Sequence, residues 1–222
     1  MKKIIGKLVL FMSFILVLSA CGQGSGNGSA DGDKSEKPVL KMATSADFPP
    51  FESLDTNGDF IGFDIDLAKL IAKELGYELQ IENQDFNGLI GSLQSGRVDM
   101  VLAGMSATDD RRKNVDFSKE YHRSGEMFLS LPDKKVESLE GLKGKTVGVQ
   151  LGTIQEEGAN GLKGKYGFAV KAVDNAGVLI QELLSGRVDV IYMDKQVAKG
   201  YIESQGFYGF DDPTSSSPGM AI

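Results

Sequence analysis

Three side chains within six positions, Ser106, Thr108 and Arg111, have the types and spacing to hold a carboxylate. A guanidinium fork makes paired, charge-assisted bonds to a planar anion. A hydroxyl adds a donor, and the N–H groups that open a helical turn point the same way. Thr108 is a good N-cap for the turn 109–111. Just before it, Ala103 and Gly104 are small enough to let a ligand approach the backbone. The bland alternative is that Arg111, Arg112 and Lys113 form a solvated basic turn balancing Asp109 and Asp110, as most charge runs do.

The elements that must position this group follow from the apolar pattern. Residues 98–103 form a nearly continuous apolar run of strand length, which suits a buried strand of a parallel sheet, and ligands bind at the carboxyl edge of such sheets. Upstream, 39–44 reads as a first strand, and 45–52, with Pro49 and Pro50, as a loop at its end. A turn at 55–59 follows. Ile65, Leu67, Ala68, Ile71, Ala72 and Leu75 keep helical spacing up to Gly76, and 77–81 reads as a second strand. A helix at 89–94 then leads to the central strand, giving a doubly wound α/β layout.

The second half echoes the first. Leu93-Gln94-Ser95-Gly96-Arg97-Val98-Asp99 returns as Leu184-Ser185-Gly186-Arg187-Val188-Asp189, each copy after a helical pattern and before an apolar strand. Between the copies lie a strand at 146–149, a helix opening within 150–155 around Gly152 and Thr153, and a helix around 178–184. The strand 188–192 ends at Met193 and Asp194. Two α/β lobes with polar or small residues at their strand ends imply a cleft between them for a small molecule, closing about a hinge.

Composition narrows the class. With 41% hydrophobic and 25% charged residues among 222, the chain has enough apolar content for a substantial core. Lys2, Lys3 and Lys7 precede an apolar run at 8–18, a pattern of export signals. It ends Leu18-Ser19-Ala20-Cys21, which resembles a bacterial lipobox. The expectation is a signal at 1–20, a lipidated Cys21, and a Gly/Ser-rich tether to residue 38, holding the protein on the outer face of the cell membrane. A chain starting at Cys21 carries 21 basic and 31 acidic residues, a formal charge of −10, which disfavours nucleic acid. A single cysteine leaves no internal disulfide.

The segments TSADFPPFE, GFDIDLAKLIAKELGY, DFNGLIGSLQSGRVD, LAGMSATDDRR followed by VDFS, and LKGKTVGVQLGTIQEE together resemble the family 3 extracellular solute-binding proteins, polar amino acid receptors of bacterial ABC transporters. The resemblance runs from about Val39 to the end. It implies a periplasmic-binding-protein-like type II fold of two Rossmann-like lobes, 39–121 and 122–215, joined by two strands near 121–125 and 216–219. It implies a monomer without cofactor or metal that hands a free L-amino acid to a permease and its ATPase. Arg111 would grip the α-carboxylate with the amides of Ser106 and Ile154 and the Thr153 hydroxyl. Asp194 would bind the α-ammonium with a carbonyl of Ala103 or Gly104 and the Ser106 hydroxyl. Phe48 and Phe86 would be aromatic walls for the ligand side chain.

The wording of TSAD, LAGM, VGVQLG and IQEE leans toward arginine receptors. Ser45 stands where some receptors for cationic amino acids carry an acid, which leaves Asp47, Glu52, Asp85 and Gln150 as partners for the side chain. The resemblance would also continue past 222 into lobe 1 with about two more helices, so the expectation is a first lobe lacking its C-terminal part.

Phosphate loops, zinc spacings and a serine triad are lacking, and the one histidine, His122, falls in the expected hinge, where a solvated role is expected. The alternative is an exported cyclohexadienyl (prephenate or arogenate) dehydratase on the same fold, with Asp194 or Asp85 as its general acid. A sensor lobe of a signalling protein is a third class, and would need a membrane span after residue 222.

Overall fold

The computed structural model describes residues 37–222. The expected export signal, Cys21 and the tether up to residue 36 lie outside the described residues. Chain order gives β1 (Val39–Thr44), β2 (Asp47–Phe48), β3 (Glu52–Leu54), β4 (Phe60–Ile61), α1 (Phe63–Leu75), β5 (Glu78–Asn83), α2 (Leu89–Gln94), β6 (Met100–Val101) and α3 (Asp109–Arg112). A second series follows: β7 (Glu126–Ser130), β8 (Thr146–Gln150), α4 (Ile154–Tyr166), β9 (Ala169–Val173), α5 (Ala176–Leu184), β10 (Val190–Asp194), α6 (Lys195–Gln205) and β11 (Tyr208–Asp211).

The first series builds a parallel sheet in the order β5-β1-β6, and the second a sheet in the order β11-β7-β10-β8-β9. In the latter β9, β8 and β10 run parallel, while β7 is antiparallel to both of its neighbours. Both are α/β layers with helices packed on the strands, as the alternating pattern requires. The chain crosses between them at 121–125 and returns at 212–219. Met220 then bridges to Ser106 and His122, so the return runs alongside the first crossing.

Two local readings need correction. The expected loop at 45–52 contains strands: β2 and β3 pair on either side of Pro49-Pro50, because prolines are tolerated in the turn while the ladder forms around them. The central strand is also shorter than its apolar run. Only Met100 and Val101 pair with β1, because Gly104 takes a φ of 55° and swings the chain away from the sheet. Leu102 still donates its N–H to the Ala43 carbonyl (3.2 Å), and both Leu102 and Ala103 are buried. Four elements, β7, β9, α6 and β11, were not anticipated from the sequence.

Helix α1 starts two residues before its first periodic residue, at Phe63, and buries Ile65, Ala68 and Ala72. Its approach demands glycine at 62: φ is 125°, and a Cβ there would lie 2.2 Å from the Phe51 carbonyl oxygen. The echoed segments are one device built twice. Gly96 and Gly186 adopt φ of 68° and 72° as α2 and α5 end. Asp99 and Asp189 then each accept the backbone N–H of the neighbouring strand's Lys41 or Thr146 (2.9 and 2.8 Å), and each returns its own N–H to the same residue's carbonyl.

Candidate functional site

Strand ends and helix starts of both α/β layers converge on one cavity. Its lining brings together Ser45, Phe48, Phe86, Ala103, Gly104, Ser106, Arg111, Gln150, Thr153, Ile154 and Asp194, and adds Asp47, Glu52, Gln155 and Met220. Asp85 is solvent-exposed and outside this lining, which removes it as a side-chain partner and as a general acid.

Arg111 is positioned by α3. The Thr108 hydroxyl caps that helix by accepting the Arg111 N–H, and the guanidinium folds back to donate to the Ser106 carbonyl (2.8 Å). Its second nitrogen donates across the cleft to the Gly152 carbonyl (3.0 Å), and its carbon sits 5.3 Å from the Phe86 ring centroid. Burial lowers its pKa to about 10, so it remains charged at neutral pH. No salt bridge joins it to a carboxylate among the described residues: this half-buried cation makes its hydrogen bonds to neutral carbonyls and lies beside a ring, with Glu157 acting on it from beyond salt-bridge distance. Such a group favours an anion.

Opposite it, β10 ends at Asp194, which is 4% exposed. One of its oxygens accepts the N–H groups of Gln196 and Val197 at the start of α6 (2.7 and 3.2 Å). Burial pushes its carboxyl up, and those N–H groups with the Ser124 hydroxyl pull it back toward the charged form. Asp194 thus caps α6 from inside the protein.

The Thr153 hydroxyl is not free for a ligand. It donates to the Gln150 carbonyl (2.7 Å) and accepts the Glu156 N–H (3.1 Å) as the cap of α4. What this leaves for a ligand is the Ile154 N–H, one of the donors that open α4 without an intrahelical partner.

At the other end lie Ser45, Asp47, Gln150 and Glu52. Asp47 accepts the Ser45 hydroxyl, the Gln150 amide and the Ala176 N–H. Glu52 is fully buried, and neither of its carboxyl oxygens has a hydrogen-bond donor among the described residues. Burial first, then the neighbouring Asp64, push its pKa well above the ordinary range. Asp64 in turn accepts the Gly104 N–H and the Tyr121 hydroxyl, both at 2.8 Å. The Phe48 ring covers Gly104 so closely that a Cβ there would be 3.1 Å from it.

His122 departs from expectation. The residue is half-buried: its Nε2 is buried without a partner, its ring packs 5.1 Å from that of Phe51, and its backbone bridges to the returning Met220. Sequence reasoning also missed Gln155 and Met220 as lining residues. Gln155 sits next to Ile154 and was within reach of the helix-start argument; Met220 carries no local signal.

Residues 40–158, more than half of the chain, match the family model for bacterial extracellular solute-binding proteins, family 3. The chain belongs to that family. Among other members of the solute-binding family, the arginine-binding extracellular protein ArtP of Bacillus subtilis (strain 168) is 42% identical over 97% of this chain and 83% of its own length. A solved structure of an ancestral arginine-binding protein bound to arginine is also 42% identical, covers 84% of each chain and superposes with a TM-score of 0.77. The ancestral amino acid-binding protein AncCDT-1, a precursor of cyclohexadienyl dehydratase, is 38% identical over 83% of this chain and 81% of its own, with a TM-score of 0.75. In this solute-binding protein the cavity between the lobes is therefore the candidate ligand site.

Proposed function

We propose that this protein binds a free L-amino acid with a cationic side chain, arginine foremost, and delivers it to an ABC permease. The observation that carries this reading is the half-buried Arg111, in no salt bridge with a described carboxylate and sharing one cavity with the buried Asp194. One charge suits an α-carboxylate and the other an α-ammonium, and each makes good the burial of the other's ligand partner. The Ser106 and Ile154 N–H groups join Arg111 at the carboxylate. The Ser106 hydroxyl and the carbonyls of Ala103 and Gly104 join Asp194 at the ammonium. Phe48 and Phe86 flank the side chain, and Gln150, Ser45 and Glu52 receive its N–H groups. Arginine is the ligand named for the relatives ArtP and the ancestral protein, which supports the same choice here.

The action is binding without turnover. A lipid on Cys21 would hold the protein on the outer membrane face beside its permease. A thermal-shift panel of the twenty amino acids tests the reading, because a ligand that binds only the folded form raises Tm. Arginine should give the largest rise, and prephenate and arogenate should be recovered unchanged after incubation. A panel with no rise for any amino acid overturns it.

A further inference from the structure

Asp47 lines the cavity, yet its oxygens are already engaged by donors from both lobes. Oδ1 accepts the Ser45 hydroxyl at 3.1 Å. Oδ2 accepts the N–H of Ala176, the first residue of the nine-residue helix α5, at 2.6 Å, and Nε2 of Gln150 at 3.3 Å. The same Nε2 donates to the Asp174 carbonyl, also at 3.3 Å. Both hydrogens of the Gln150 amide are thus claimed by acceptors, and a flipped amide would set its oxygen against a carboxylate and a carbonyl. Gln150 is 5% exposed and lines the cavity, and its Oε1 accepts no hydrogen bond among the described residues. Ser45 has likewise given its hydrogen to Asp47 and keeps only lone pairs to offer.

We propose that Asp47 is a positioning residue that sets ligand specificity: by drawing the donors of Ser45 and Gln150 to itself while clasping the first turn of α5, it leaves this end of the cleft with acceptors alone. Such an end welcomes side chains that finish in N–H groups, guanidinium or ammonium, and rejects isosteres that finish in a carbonyl. A buried acceptor facing another acceptor is left unsatisfied, which discriminates more strongly than a lost contact. Asp47 acts through its neighbours rather than by touching the ligand. This inference rests on the amino acid-binding reading above.

The test is calorimetric titration with L-arginine and L-citrulline, which share a shape and differ by one terminal nitrogen replaced with a carbonyl oxygen. Arginine should bind the unaltered protein more tightly. Asp47→Asn supplies a competing N–H donor and frees the Gln150 amide to turn, so the arginine-to-citrulline affinity ratio should narrow by about tenfold. Gln150→Leu removes the acceptor at nearly constant volume and should narrow the ratio by about fivefold. A general loss of closure would weaken both ligands equally and leave the ratio intact. An intact ratio in both variants overturns the proposal, and if Asp47→Asn fails to fold, Gln150→Leu decides alone. An unaltered protein that binds no amino acid overturns the underlying reading first, a result distinct from a preserved ratio.

Discussion

Glu52 and Asp194 line one cavity from opposite sheets, both buried carboxyls, and their surroundings support a carboxylate charge unequally. Asp194 ends a strand where a helix begins, so backbone N–H groups of α6 solvate its carboxylate. Glu52 lies on the short strand β3, next to another acid and with no N–H aimed at it. Burial raises both, but only Glu52 lacks the donors to resist. The two walls therefore differ in how well they sustain a carboxylate charge, a difference set by backbone geometry rather than by residue type.

The sharpest way to break this contrast is to remove the charge that faces Asp194. Arg111→Ala should weaken amino acid binding by about a hundredfold, since it strands a ligand carboxylate in a closed cleft; calorimetric titration reads it. Asp194→Ala should weaken binding by at least tenfold and also lower stability by about 1 kcal/mol through the lost cap of α6. Asp194→Asn separates these roles, restoring the melting temperature but not the affinity, because asparagine caps helices and carries no charge.

The proton side of the contrast shows in pH dependence. Glu126, at the start of β7, is another buried acid, and burial first, then Asp194 and Asp212, raise its pKa to about 7. A carboxyl raised in the folded state holds its proton there while the unfolded chain has already lost it. Stability is then full below the ordinary glutamate range and falls as pH rises through about 7. Melting temperature should accordingly decline between about pH 5 and pH 8, and Glu126→Gln should flatten part of that decline. Glu52→Gln, which removes another carboxyl raised by burial, should flatten it further. The smallest effect expected is from Gly104→Ala. Its positive φ and the Phe48 ring at 3.1 Å leave no easy room for a methyl, so affinity should fall by about threefold to tenfold.

Much of the frame was readable because it is local. Helical spacing at 65–75, the glycine stops and the duplicated Ser-Gly-Arg-Val-Asp pattern depend on residues a few positions apart. Even there the copies diverge once packing enters. In the second, Glu182 pairs with Lys171 and with Arg187 (2.7 Å), whereas the first has Ser92, which donates to Gln84. The short strands β2, β3 and β4 were less visible, since two or three residues hold too little periodicity to announce a sheet.

By itself the sequence determined the α/β alternation, the paired turns, and the residue types at the strand ends, because each follows from spacing along one segment. Tertiary structure alone decided which of those polar groups remain free. Thr153 spends its hydroxyl on its own helix, Asp85 faces solvent, His122 bridges to a residue nearly a hundred positions away, and Asp47 meets a helix start 129 residues on. Hydrogen-bond capacity is finite, and which donor fills an acceptor depends on distances that only the folded chain sets.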